Sequence, residues 1–241
     1  MANGYSQSPK LLKGALIRFS AATLIPVPNI IVFQYNPESL TRTLTSWAPP
    51  AATTETDECH KKNKKAVNAL AQPFDPEESL SLKLELDATD ALEEPDSHPV
   101  AVLTGVADRI AAIEMLMYPS ADEGSSLRSA VGSLLGGKFD AAPRKTVPVV
   151  LFFWGPGRIV PVRITSLSVE ETAYSPTLYP IRAQATLGLQ IIDPIELAAK
   201  DPKPADRLAM ACYVYTRAQK EALALANVAN SAESIMGMLP F

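Results

Sequence analysis

Val32-Phe33-Gln34-Tyr35-Asn36-Pro37-Glu38-Ser39-Leu40-Thr41-Arg42 decides how this chain is read. An alternating run enters an Asn-Pro pair, and a second polar–apolar run leaves it. Pro37 fixes its own φ and pushes Asn36 out of the helical region, which suits a sharp corner between paired strands. Strands are therefore expected over residues 29–35 and 39–45. A further strand is expected before them, over 14–20 (Gly-Ala-Leu-Ile-Arg-Phe-Ser).

Downstream the clearest signal is Leu80, Leu82, Leu84 and Leu86 alternating with Ser81, Lys83 and Glu85. A period of two marks a strand with one buried face. Val149-Val150-Leu151-Phe152-Phe153-Trp154-Gly155 is apolar on both faces, so the strand over 147–154 is buried on both sides or meets a partner. Gly155-Pro156-Gly157 supplies turn chemistry, and residues 158–169 alternate again, so the two form a hairpin. A last strand is expected over 181–192. Val102, Val106, Ile110, Ile113 and Met117 recur at helical spacing, which predicts one amphipathic helix over 99–118. A short helix is expected at 126–135. After Asp193-Pro194 the composition turns to alanine. A helix is expected over 205–236, with Leu208, Cys212, Tyr215, Ala218, Ala222, Leu225 and Ala229 on one stripe. Leu208, Tyr215 and Leu225 are its large anchors and the candidate interface residues. So small a stripe gains stability mainly by docking, and another chain is the expected partner. Residues 47–79 form a long connection carrying His60 and Lys61-Lys62-Asn63-Lys64-Lys65, read either as an arm to a neighbour or as a mobile loop.

The 241 residues suit one large β-rich domain, placed at 1–195, with a helical extension at 196–241. A net charge of -4 gives no global field for nucleic acid. Two cysteines, Cys59 and Cys212, make no disulfide scaffold and point to assembly in a reducing cytoplasm. The N-terminus has no apolar run like a signal peptide, and no stretch reaches the roughly 18 apolar residues of a membrane span.

Motifs for chemistry are weak. Gly132-Ser-Leu-Leu-Gly-Gly-Lys138 has phosphate-loop spacing, but Phe139 stands where Ser or Thr must hold magnesium, and a helix precedes it. His60 and His98 sit in no ligand spacing. Glu93, Glu94 and Asp96 read as a solvated turn, and Trp47 and Trp154 as packing residues. No catalytic residue, cofactor or metal is expected.

The motifs together, in this order, resemble the tube-domain family of contractile injection systems, the phage-tail-like machines. The resemblance covers roughly residues 10–195. It rests on Lys13 to Ser20, on Phe33-x-Tyr35-Asn36-Pro37-Glu38-Ser39-Leu40, on Leu80 to Asp87, on Trp154-Gly155, and on Pro180-Ile181-Arg182-Ala183. Two departures stand out. Leu178 occupies the place of the family's glycine before Pro180, and no LysM module follows residue 195. The resemblance implies an α+β, mainly β fold. Its core is a phage-tail-tube-like sandwich or barrel of two sheets, with a flanking helix. It implies a homo-hexameric ring at the baseplate, between the spike hub and the inner tube, initiating tube assembly beside the baseplate wedge components. Such a ring assembles in the cytoplasm as part of a large particle, which is then released or docked at a membrane, without inserting into it. The other reading, from a different class, is a binding module anchoring the particle to cell wall or other partners through the C-terminal helix.

Overall fold

The computed structural model describes residues 11–19, 28–47, 72–118, 147–198, 202 and 204–238. The 48–71 stretch with Cys59, His60 and Lys61 to Lys65, the short helix at 126–135, and the Gly132 to Phe139 string lie outside them. Seven strands are described: β1 (Ala15–Phe19), β2 (Pro28–Val32), β3 (Leu40–Thr45), β4 (Glu77–Asp87), β5 (Val150–Phe153), β6 (Ile159–Tyr174) and β7 (Pro180–Ile191). The helices are α1 (Thr89–Glu93), α2 (Pro99–Thr104), α3 (Ala107–Glu114), α4 (Pro194–Leu197) and α5 (Pro204–Met238). The chain is thus mixed α+β and mainly β.

All seven strands join one antiparallel sheet in the order β2-β1-β5-β6-β7-β4-β3. One sheet therefore stands where two were expected. It curls upon itself, because inward residues from distant strands share a single core: Leu16 of β1, Phe152 of β5, Val162 of β6, Leu187 of β7 and Leu84 of β4. The alternation in β4 explains its part. Leu80, Leu82, Leu84 and Leu86 are all buried while Ser79, Ser81, Lys83 and Glu85 stay exposed. Each buried leucine contributes about 1.5–3 kcal/mol relative to exposure.

The expected pairing of the strands around Asn36-Pro37 is not what forms. β2 pairs with β1 and β3 with β4, at opposite ends of the strand order. The corner at 33–39 carries the chain between the two ends of the curled sheet, so it closes the fold instead of turning a hairpin. β2 also stops at Val32. Phe33 instead gives its N–H to Gly14 O at 2.9 Å and buries its ring 6.4 Å from that of Phe152. Gly14 makes room for this, since a Cβ there would lie 2.6 Å from the Phe33 ring and 2.8 Å from Trp154.

The helix expected over 99–118 is broken in two at Gly105. Its φ of +58° is left-handed, and a Cβ would sit 2.1 Å from Pro180 O. The break frees the Val106 N–H, which donates to the same Pro180 carbonyl at 2.9 Å. It also rotates the two halves apart. Val106, Ile110 and Ile113 are buried, whereas Val102, assigned to the same stripe, is exposed.

The outer face of β5 is covered from within the chain. Val150 and Phe152 point into the main core, while Leu151 packs with Leu197 of α4 and Ala209 of α5. That apolar outer face is therefore no sign of a partner. Trp154 is half-buried, stacked on Phe152 at 5.9 Å, and packs on the rim of the core, not inside it. Among the described residues no helix is long and apolar enough to cross a membrane.

Gly105→Ala must strain both the left-handed backbone and the Pro180 contact. The left-handed term alone costs about 1–2 kcal/mol, so a loss of at least about 2 kcal/mol is expected in urea unfolding once the clash is added. An unchanged midpoint would show that the α2–α3 break is not held by this contact.

Candidate functional surface

The motif residues converge at the corner and work there as backbone surrogates. The Asn36 amide accepts from the Gly14 N–H at 2.9 Å and donates to Leu12 O at 2.7 Å. It thus pairs with the strand-like segment before β1 as a peptide unit would. Lys13 Nζ adds a bond to Gln34 O at 2.9 Å. Tyr35, Glu38 and Ser39 stand exposed on the corner, Pro37 is half-buried, and Leu40 packs against the core.

One residue further in, Gln34 does the same for the other end of the sheet. Its Nε2 donates to Asp87 O at 2.7 Å and its Oε1 accepts from the Asp87 N–H at 3.0 Å. Arg109 of α3 also donates to Gln34 Oε1. The Asp87 carboxylate accepts the Thr89 N–H at 2.7 Å and the Thr89 hydroxyl, and meets Arg182 Nε at 2.9 Å. Arg182 also donates to Thr89 Oγ1 at 3.2 Å. Burial pushes the Asp87 carboxyl up, but the two Thr89 bonds and the Arg182 charge outweigh it and hold the group below its ordinary value. Pro180, at the start of β7, supplies the carbonyl that receives Val106. Pro180 and Arg182 of the motif are thus placed in one network with Asn36's neighbours. Gln34 stood in the opening stretch and Asp87 closed the Leu80 to Asp87 motif, but neither was given a role, and Thr89 and Arg109 were not singled out. Polar residues at strand ends carry no periodic signal, so nothing marked them.

This network joins parts of the fold to one another, and its charged groups are spent on each other. Among the described residues no group of three or more His, Cys, Asp or Glu side chains converges as a metal site. Cys212 is half-buried, and burial raises its thiol pKa, which keeps it from acting as a ready nucleophile.

A different surface is left open. Among the described residues, β6 beyond Val162 pairs only with β7, because β5 covers β6 just over Ile159 to Val162. Among the described residues β3 pairs only with β4. The strands β3-β4-β7-β6 therefore make a four-stranded unit whose two edges no described strand pairs. Its inner face is the leucine core. Its outer face carries the cross-strand row Thr41, Ser81, Gly188 and Ser166. A second row holds Thr43, Ser79, Gln190 and Arg163, and a third Lys83, Thr186 and Ser168. Short, mostly uncharged polar side chains dominate its middle.

The C-terminal helix docks on its own sheet over its first half. Ala209 and Thr216 are buried. The Thr216 hydroxyl accepts from the Ile159 N–H at 3.1 Å and donates to Ile159 O at 2.7 Å. Tyr213 donates to Asp75 at 2.9 Å, Arg217 pairs with the same carboxylate, and Lys220 pairs with buried Glu78. The expected stripe is thus offset from the face that packs. Leu208 and Tyr215 are exposed, and Leu225 is more exposed still. From Glu221 to Val228 every residue is exposed.

No family model matches the sequence, and no curated protein matches it either.

Asp87 gives a pH signature. Its folded pKa lies below the unfolded one, so its stabilisation is present at neutral pH and is lost as pH falls through the folded value. Asp87→Asn is expected to be less stable than wild type near neutrality, with the gap closing in acid. Urea melts across that range check it. A gap constant with pH would mean the carboxylate charge is not what Arg182 and Thr89 hold.

Proposed function

We propose that this chain is a structural ring subunit of a contractile, phage-tail-like injection particle. Six copies form a baseplate ring joining the spike hub to the inner tube, and the ring starts tube assembly. One observation carries the reading: the four-stranded unit with two open edges and a polar outer face.

An unpaired strand edge is a template for another strand, and proteins normally cover or guard it. Here β3 offers Leu40 to Thr45 with one charge, Arg42, and that charge points toward Glu78 at 3.7 Å. On the far side, β6 offers its exposed half beyond Arg163. Pairing the β3 edge of one copy with the β6 edge of the next is a head-to-tail contact, which closes into a ring when the rotation allows. Each copy then adds four strands to one continuous barrel. Its apolar faces stay in the subunit cores. Its polar outer face, serine, threonine, glutamine and glycine with the charged Lys83, Glu85, Arg163 and Glu170, turns to a water-filled lumen, where it needs no partner. The resemblance of the Phe33 to Leu40, Leu80 to Asp87 and Pro180 to Ala183 motifs to tube domains supports the same assignment.

The exposed second half of α5, with Leu223, Leu225 and Val228, favours a further role in the same particle. It is a contact for an adjoining baseplate component, which is the anchoring reading confined to protein partners.

Cysteine cross-linking tests the ring. In a background with Cys59 and Cys212 replaced by alanine, Thr43→Cys is combined in turn with Ser166→Cys, Ser168→Cys or Glu170→Cys. Within one subunit these positions are three strand spacings apart, about 14 Å, and a disulfide needs Cα atoms within about 7 Å. Oxidation of assembled particles is expected to give covalent ladders ending at six copies. Monomers only, in every pairing, would overturn the edge-to-edge ring, as would electron micrographs showing rings of another order.

A further inference from the structure

A pocket of about 460 Å³ opens where the β3–β4 base, the end of β7, α4 and α5 meet. Three aromatic side chains line it, Trp47, Phe74 and Tyr213. The Trp47 and Phe74 rings stand 6.5 Å apart at 60°, and Phe74 is half exposed. The pocket also bears carboxylates in two states. Asp75 is paired with Arg217 and accepts from the Tyr213 hydroxyl, Glu78 is paired with Lys220 and Arg42, and Asp193 accepts the Ile195 N–H at the start of α4. Glu77 and Glu196 stand exposed at the rim, and no ion pair holds either among the described residues.

We propose that this pocket is the docking site for a lysine or arginine side chain presented by an extended segment of a partner polypeptide. Charge and wall chemistry together select the occupant. Unpaired carboxylates at the mouth repel anions and attract a cation. A bare metal ion would want converging oxygens, and no such cluster is described here. The aromatic walls want an aliphatic stem or a flat guanidinium, each of which stacks on a ring face while its charge reaches the rim. Neutral apolar groups would leave Glu77 and Glu196 desolvated without a partner. The inference does not rest on the ring reading, because the pocket belongs to a single subunit.

The test uses the full chain in a Trp154→Phe background, so that Trp47 is the only tryptophan. Hexa-arginine and hexa-lysine are titrated, with hexa-glutamine as control, by calorimetry and tryptophan emission. One saturable site is expected for the cationic peptides, with a change in emission, and none for hexa-glutamine. Glu77→Gln combined with Glu196→Gln should weaken binding at least tenfold, as should Trp47→Ala, with unchanged thermal melting. If Trp47→Ala does not fold, the double glutamine variant decides, since both its positions are exposed. Absence of saturable binding overturns the proposal. So does equal affinity in the double variant, which would mean diffuse attraction. A third overturning result is binding that appears only after Lys61, Lys62, Lys64 and Lys65 are changed to Gln. The pocket would then belong to the chain's own basic run and not to a partner.

Discussion

Closing the curled sheet is the constraint on which the rest of this structure depends. Seven strands bend round until β2 approaches the upper half of β4, where β3 no longer runs alongside. Backbone groups on that stretch would be left without partners in a partly buried place, at about 1–3 kcal/mol each. Gln34 resolves this by lending one side-chain amide as a substitute peptide unit to both the N–H and the C=O of Asp87. Asn36 performs the same substitution on the other side, for Gly14 and Leu12. Two amides, two residues apart, thus lock one corner onto two separate segments. α3 then seals the seam from outside: Ile113 sits in the main core and Arg109 reaches Gln34.

The C-terminal helix solves a related problem by the same device. The N–H and C=O of Ile159, at the start of β6, are both met by the Thr216 hydroxyl from α5. Small residues make this approach possible. Ala209 and Cys212 let the helix lie close over Leu151 and Ile17, and Glu78 is buried at the far end against Lys220. Burial of Tyr213 and its bond to Asp75 both raise the tyrosine pKa, so its hydroxyl stays protonated as a donor under any ordinary condition. From Glu221 to Val228 every residue of α5 is exposed, and no described strand packs on this stretch.

How much of this was legible in the sequence varied with the kind of signal. The β4 leucines announce a strand because period two survives any tertiary context. The apolar β5 run announced burial on both faces but left open what covers the outer one, and that cover proved to be α4 and α5. The helix at 99–118 looked continuous because Val102, Val106 and Ile110 keep helical spacing. Only the approach of Pro180, 75 residues beyond Gly105 in the sequence, shows why it breaks. The docking face of α5 was misjudged for a physical reason. Large apolar residues were taken as anchors, whereas a helix that packs closely buries Ala209 and Thr216 and leaves Leu208 and Tyr215 outside. Of the surface, the corner motif was visible, but the open edges were not, since they depend on β6 outrunning β5.

The two halves of the one sheet are finished in opposite ways, and their residues explain it. Over β1 and β5 the outward side chains are Ile17, Phe19, Val149 and Leu151, and α4 and α5 cover them. Over β3, β4, β7 and the free part of β6 they are mostly threonine, serine, glutamine and glycine, with charged Lys83, Glu85, Arg163, Glu170 and Arg182 among them, and no described element covers them. A protein acting alone could leave such a face to solvent. At the tip of the β6–β7 hairpin Leu178 stands with a φ of +65° and 79% of its surface exposed. A leucine there costs about 1–2 kcal/mol in backbone strain, and glycine, the residue of the tube-domain pattern at this place, would avoid it. Within the subunit the turn is held by its own hydrogen bonds, Leu178 N–H to Ser175 O at 2.9 Å, Ser175 N–H to Tyr179 O at 2.8 Å and Tyr179 N–H to Ser175 Oγ at 3.1 Å. In the ring proposed above, Leu178, beside exposed Tyr174 and Tyr179, would be the apolar contact at the hairpin tip.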